Sequence, residues 1–452
     1  MIVFKLKRNK YQEHFAMLPK ISQSVMDFIT LLSPIDFRKT LLERICQATR
    51  RVCIVALYLE NDEGGQSIFS ALYKVKKQKP NLDVSVVVDW HRAQRCRIGS
   101  TSSFTNADWY YEIASQNPHI SIPIYGIPVN TREALGILHL KGSVIDDTVL
   151  YTGANFNNIY LHQNNQYRYD RYHIIGNRLL ADTMFNWISV NLLKSTATQR
   201  LDQYYRPRSS QIKNATRKLR NELRRCHYQY LGHMISNKLS VTPLLGLGRR
   251  SLLNKTIYYL IVSVKSHLII CTPYFNLPSI LVRNIIYILR HGRKVEIIVG
   301  DKTANDFYIP ESQPFQIIGI LPYLYEINLR RFLSRLQNYI YRGQLTVRIW
   351  KDGNNSYHLK GLWVDDTWMM ITGNNFNPRA WSLDLENAIL IHDPLQQLAD
   401  QRFRELNIIR QNTKFIYHAN DLENIVDYPD KARRLILGVR RMQIDRLLRR
   451  IL

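Results

Sequence analysis

His139-Leu140-Lys141-Gly142-Ser143-Val144-Ile145-Asp146-Asp147-Thr148 returns later in the chain as His358-Leu359-Lys360-Gly361-Leu362-Trp363-Val364-Asp365-Asp366-Thr367. Both stretches read H-x-K-x-x-x-x-D. Each then runs through apolar residues into Thr-Gly-x-Asn-Phe-Asn, from Thr152 to Asn157 and from Thr372 to Asn377. A single H-x-K carries little information; two copies with matching tails in 452 residues carry a great deal. The segments Leu-Lys-Gly-Ser-Val-Ile and Leu-Lys-Gly-Leu-Trp-Val predict short buried strands. In a strand, residues two apart share a face and residues seven apart lie on opposite faces. His139 and Lys141 therefore project together, as do His358 and Lys360, and form the chemical pair. Asp146 and Asp365 project the other way, as structural partners of backbone N–H groups or of a lysine.

Working outward, the repeat continues on both sides. Val52 to Leu59 is answered by Leu268 to Phe275, each an apolar run ending near a tyrosine. Helical patterns follow at Gly65–Lys77 and Ser279–Arg290, and further apolar runs at Val84–Ala93 and Val295–Ala304. Continuously apolar strands alternating with helices predict an α/β fold with buried sheets. The expected organisation is two α/β halves in one chain, each a mixed sheet flanked by helices, sharing a central active site. The expected boundaries are an N-terminal extension over 1–35, a first half over 36–200, a basic linker or insertion over 201–244, a second half over 245–415, and a basic amphipathic tail over 416–452.

Composition sets limits on function. With 45% apolar and 22% charged residues the chain is globular and long enough for two or three domains. The five cysteines, Cys46, Cys53, Cys96, Cys226 and Cys271, are odd in number and lack C-x-x-C spacing, which points to reduced thiols in the cytosol and away from zinc. The N-terminus lacks the apolar core of a signal peptide, and no apolar stretch is long enough to span a membrane. The formal net charge of +26 favours a polyanionic partner, either nucleic acid or an anionic membrane surface. In the tail, Tyr428-Pro429-Asp430 predicts a helix start. Leu435, Ile436 and Val439 form one apolar stripe, and Ile444, Leu447, Leu448 and Ile451 form a second, bordered by Arg446, Arg449 and Arg450.

The duplicated motif with its Gly-x-Asn tail resembles the phospholipase D superfamily. Within it the whole chain is similar to the Gram-negative bacterial phosphatidylserine synthases, through Leu18 to Ser24, Val88 to Arg95, Tyr125 to Glu133, Lys302 to Pro310, Leu321 to Asn328 and Gly373 to Trp381. The resemblance implies transfer of a phosphatidyl group from CDP-diacylglycerol to L-serine with release of CMP, through a phosphatidyl-histidine. It implies no cofactor and no metal. It also implies a cytoplasmic protein bound peripherally to an anionic phospholipid surface of the inner membrane, with non-specific ribosome or nucleic-acid association as a by-product of its charge.

The residues can support this chemistry. A phosphodiester repels nucleophiles, so a metal-free site must supply cations, here Lys141 and Lys360. A neutral imidazole can attack phosphorus or shuttle protons. Family precedent points to His139 as nucleophile and His358 as acid/base, and the sequence itself leaves the reverse open. The family also places an acidic orienter downstream of each motif, at Asp170 for His139 and Glu386 for His358, although either could be an ordinary salt-bridge partner. Asn155 and Asn375 are expected to line the site, and His91, Arg92 and Arg95 to meet the nucleotide end of the substrate. Two other readings compete: another phospholipase D-type reaction such as a phosphodiesterase or cardiolipin synthase, and a basic nucleic-acid or ribosome-binding protein with a vestigial site.

Overall fold

A computed structural model describes residues 2–96, 103–232 and 237–441. Two mixed sheets dominate it. In the first, the strands lie in the order Gln199–Arg200, Ile124–Ile127, Asp83–Asp89, Arg51–Val55, Ser143–Ile145, Thr148–Thr152, Tyr172–Gly176 and Phe28–Leu31. In the second the order is Ile21–Ser22, Ser240–Leu247, Leu385–His392, Trp368–Thr372, Gly361–Val364, His267–Thr272, Lys294–Gly300, Leu345–Trp350 and Thr413–Ile416. Eight consecutive strands match in position and direction, and Arg51–Val55 and His267–Thr272 each have a parallel neighbour on one side and an antiparallel one on the other. The expected helices appear at Glu63–Gln78 and Ser279–Arg290.

The sheet repeat starts earlier than the expected 36 and 245. Phe28–Leu31 holds in the first sheet, beside Tyr172–Gly176, the place that Ser240–Leu247 holds in the second beside Leu385–His392. The N-terminal segment is thus woven into both halves, because Ile21–Ser22 pairs with Ser240 and Val241 of the second sheet. Residues that follow the first sheet also form structure: Lys213–Leu223 is a helix, with Leu219 and Leu223 buried.

Apolar residues place the two sheets against a common core. Val144, Val149 and Tyr151 of the first half pack in one cluster with Leu245, Ile371 and Ile389 of the second. Separate clusters cover the outer faces, including Phe37, Leu41 and Leu72 on one side and Ile257, Ile285 and Leu289 on the other. Each fully buried side chain of this size is worth about 1.5–3 kcal/mol, so the shared core commits the halves to one another. All five cysteines are free. Among the described residues no helix is long and apolar enough to cross a membrane.

The turns after the two motif strands are built alike. Asp146, at φ 50°, accepts from the backbone N–H of Thr49, Arg50 and Arg51 at 2.9, 2.8 and 3.1 Å. Asp365, at φ 52°, accepts from Lys265, Ser266 and His267 at 2.7, 2.7 and 3.0 Å. Each carboxylate ties its turn to the start of the antiparallel strand beside it. Asp146→Ala is expected to lose about 1–3 kcal/mol of stability by urea unfolding, while turnover of the folded fraction holds. Asn, which tolerates this φ, should lose less. Lost turnover at wild-type stability would instead make Asp146 a site residue.

The tail differs from the expected stripe. Asp430–Arg441 is a helix in which Ala432 and Ile436 are buried beside Ile320, Tyr323 and Tyr428, whereas Leu435 is 38% exposed. Successive residues on a helix are about 100° apart, and Leu435 lies at the margin of the patch that Ile436 enters. The side chain of Val439, and Ile444, Leu447, Leu448 and Ile451 with their arginines, lie outside the described residues.

Candidate active site

The histidine and lysine of each motif precede the strand rather than lie within it. His139 and Lys141 sit on an extended segment that Gly142 (φ +93°) turns into Ser143–Ile145. A Cβ at Gly142 would come within 2.8 Å of Met184. In the second half the glycine answers a different need: Gly361 lies in a regular strand, and a Cβ there would stand 2.4 Å from the Arg171 guanidinium.

Each extended segment runs beside the acid-bearing strand of the opposite half. Leu138 forms a parallel bridge with Leu385, the His139 N–H donating to Leu385 O and the Leu385 N–H to Ile137 O, both at 2.9 Å. Likewise Ser356–Tyr357 pairs in parallel with Arg168–Tyr169, and the His358 N–H donates to Tyr169 O at 2.8 Å. The acids are therefore exchanged relative to the sequence expectation. Nδ1 of His139 lies 2.9 Å from both carboxyl oxygens of Glu386, and Nδ1 of His358 lies 2.8 Å from Oδ2 of Asp170. Asn387 reinforces the crossing, accepting from the Lys141 N–H at 2.9 Å and donating to Lys141 O at 2.8 Å.

The two dyads differ electrically. Lys360, with no exposure to solvent, donates to Asp170 Oδ2 at 2.9 Å and also touches His358 Nδ1. Burial opposes ionisation of Asp170, yet Lys360 and the His358 N–H outweigh it and hold the carboxylate at about 2. Glu386 has no such ammonium on it, and burial pushes its pKa up to about 8. Burial and then Lys360 lower His358 to about 3, and burial and then Lys141 hold His139 well below the ordinary imidazole value. Both imidazoles are therefore neutral near pH 7. Lys141 donates to Asn155 Oδ1 at 2.7 Å and Ala154 O at 3.2 Å. Burial and then the Lys360 charge push Lys141 down to about 7.

That last value sets a pH dependence for anion binding. Lys141 is an ammonium below about 7 and increasingly an uncharged amine above it. Competitive inhibition by sulfate, whose own charge is constant in this range, should weaken as pH rises from 6 to 9 at fixed ionic strength. An inhibition constant independent of pH would mean that Lys141 keeps its proton throughout.

Other expected site residues are dispersed. Asn375 carries an Oδ1 that is buried and without a hydrogen-bond partner among the described residues. Arg92 lies 4.9 Å above the Tyr58 ring. His91 is tied to Asn130 O at 2.7 Å, and Arg95 pairs with Glu133 at 2.9 Å. Sequence reasoning missed Asn387, and it missed Asp89, which accepts from the Leu138 N–H at 2.8 Å and so fixes the His139 segment. The signal for Asp89 was present: a carboxylate ending the apolar run Val86-Val87-Val88, at the carboxyl end of a parallel strand. A cavity of about 1060 Å³ opens elsewhere, lined by Trp187, Lys218, Arg224 and Arg225 and by none of the motif residues. Among the described residues no group of three or more His, Cys, Asp or Glu is placed to hold a metal ion.

The family model described as "Cardiolipin synthase, PLD-like domain" matches residues 257–407. Over 448 residues the chain is 62% identical to the CDP-diacylglycerol–serine O-phosphatidyltransferase of Escherichia coli K12, covering 99% of each chain. The chain belongs to the CDP-diacylglycerol–serine O-phosphatidyltransferases of phospholipase D type. The Haemophilus influenzae relative of the same name is 47% identical over the full length of both chains. The crystal structure of the phosphatidylserine synthase of H. influenzae Rd KW20 superposes with a TM-score of 0.95 at 46% identity, covering 98% of this chain and 99% of that one. The fold is thus shared over nearly the whole of both chains.

Proposed function

We propose that the chain transfers the phosphatidyl group of CDP-diacylglycerol to L-serine in two displacements. The observation that carries the reading is the pair of crossed histidine–carboxylate dyads, with Lys141 and Lys360 buried beside them. In the first step Nε2 of His139 attacks phosphorus and the P–O bond to CMP breaks. CMP leaves as a phosphate whose second pKa is about 6, so it needs little protonation. In the second, the serine Oγ–H gives its proton to Nε2 of His358, Oγ bonds to phosphorus and the P–N bond to His139 breaks. Lys141 and Lys360 hold the non-bridging oxygens.

His358 suits the base role because ionised Asp170 accepts its Nδ1–H and stabilises the imidazolium that forms. The low basicity of His358 stems first from burial and then from Lys360. A bound phosphodiester offsets the Lys360 charge and raises that basicity when it is needed. The deciding experiment is CMP release from CDP-diacylglycerol in detergent micelles, with and without L-serine. Serine-dependent release with phosphatidylserine as product is expected. Serine-independent release giving phosphatidic acid would make the protein a phosphodiesterase, and no release would leave the histidines to another substrate.

The lipid substrate places the site mouth at the headgroup level, and the net charge of +26 supports reversible docking on the anionic cytoplasmic face of the inner membrane. Liposome flotation should show binding that strengthens with anionic lipid and weakens with salt, more for the full chain than for one ending at Asp430. Equal binding of the two chains would remove the tail from the docking surface. Equal binding to neutral vesicles would remove the charge from the account.

A further inference from the structure

Beyond His358 the site opens onto two charged groups that the displacements leave without a task. The paired strands place Arg168 opposite Ser356. Because side chains alternate along an extended chain, Arg168 shares the face of Asp170, and Ser356 shares that of His358, each two residues earlier in the chain. Nε of Arg168 donates to Ser356 Oγ at 3.0 Å. Its guanidinium lies 4.8 Å above the Tyr160 ring, which in turn packs edge-on against His358 with ring centroids 5.2 Å apart.

Facing Arg168 is Asp306, 3.6 Å from Nη1, beyond hydrogen-bond range. Among the described residues no hydrogen bond reaches this carboxylate, and its side chain is 27% exposed. Its charge is nevertheless felt at His358 and Lys360. The loop that carries it is fixed. Asn305 is buried and accepts from the Phe307 N–H at 2.9 Å, and Lys302 is clamped by Glu326 at 3.0 Å and Glu423 at 2.8 Å. The corresponding place beside His139 is closed. There Asp384, two residues before Glu386, pairs with Arg379 at 3.0 Å and accepts from the Ile137 N–H at 3.1 Å. Beside His139 stands a close ion pair at 3.0 Å, and beside His358 a looser one at 3.6 Å.

We propose that Arg168 and Asp306 recognise the acceptor as a zwitterion, Arg168 taking the α-carboxylate of L-serine and Asp306 its α-ammonium. This rests on the two-displacement reading, because in-line attack by His139 puts both the leaving group and the incoming hydroxyl on the opposite side, that of His358. CMP and serine then use that side in turn. Arg168 serves both, meeting a phosphate first and a carboxylate second. Asp306 repels the phosphate and attracts the ammonium, so its contribution belongs to the second step. Held at both ends, serine presents its Oγ–H to Nε2 of His358, and an acceptor lacking one charge leaves a protein charge unanswered.

The test compares three acceptors in CDP-diacylglycerol micelles: L-serine, ethanolamine, which lacks the carboxylate, and 3-hydroxypropanoate, which lacks the ammonium. For Asp306→Asn, selectivity for L-serine over 3-hydroxypropanoate should fall about 10- to 100-fold, the range for one charge-assisted hydrogen bond. The change should appear in the serine KM, and Asp306→Glu should restore much of the selectivity. For Arg168→Gln, selectivity for L-serine over ethanolamine should fall instead. Unchanged selectivity in Asp306→Asn, or an equal loss with all three acceptors, would overturn the assignment. Serine-free exchange of labelled CMP into CDP-diacylglycerol by the unmodified protein tests the covalent reading separately. Failure of exchange would sink the intermediate while leaving the acceptor selectivities to be judged on their own.

Discussion

His139→Ala and His358→Ala are each expected to lower phosphatidylserine synthesis by about 10⁴- to 10⁶-fold, the scale seen when one member of a nucleophile–base unit is removed. The size follows from placement: each imidazole has its Nδ1 held by a carboxylate from the opposite half, so both Nε2 atoms belong to one site. The variants should differ in what they accumulate. CMP departure needs little acid, so His358→Ala should still load slowly and then stall, leaving a phosphatidyl group that is acid-labile and alkali-stable on His139. His139→Ala should load nothing. Near-normal turnover in either variant would end the two-histidine mechanism, and an adduct on His358 would reverse the roles.

Asp170→Asn is expected to cost about 10⁴-fold, by analogy with loss of the carboxylate behind a catalytic histidine. The carboxylate performs two tasks that an amide cannot. It holds the proton on Nδ1 of His358, leaving Nε2 free, and it answers the fully buried Lys360 ammonium at 2.9 Å. Glu386→Gln should cost far less. Burial already pushes Glu386 up to about 8, so a neutral amide replaces a group that is often neutral. The contrast is read from turnover of each variant after near-UV circular dichroism confirms folding. Equal losses would mean that the two dyads are electrically alike. Wild-type rates in Asp170→Asn would remove Asp170 from the mechanism.

The duplicated motif made the repeated α/β sheets legible, because apolar runs and helical periods such as Ser279–Arg290 are local patterns. What escaped was lateral. Asp170 and Glu386 were assigned to histidines in chain order, but neighbours across an interface leave no trace in sequence spacing, and a parallel bridge such as Leu138 with Leu385 has no local pattern at all. Phe28–Leu31 was missed as the start of the sheet repeat since four residues with one fully buried side chain give no usable period. The strand argument puts His139 and Lys141 on one face, whereas the segment that carries them is extended without being in the sheet. Asp306 and Arg168 were unremarkable as single charges and gain meaning only from what they face.

The crossing of the dyads also fixes when the protein can first act. His139 depends on Glu386, which lies 247 positions further along the chain, and His358 depends on Asp170, made 188 positions earlier. At about 5–20 residues per second, a ribosome that has placed His139 needs on the order of 10–50 s more to reach its partner. Throughout that interval His139 is without its acid and Lys141 without the Asn387 clamp. The nascent enzyme is therefore chemically silent until nearly all of it has been translated, and any chain that stops before Glu386 cannot spend liponucleotide.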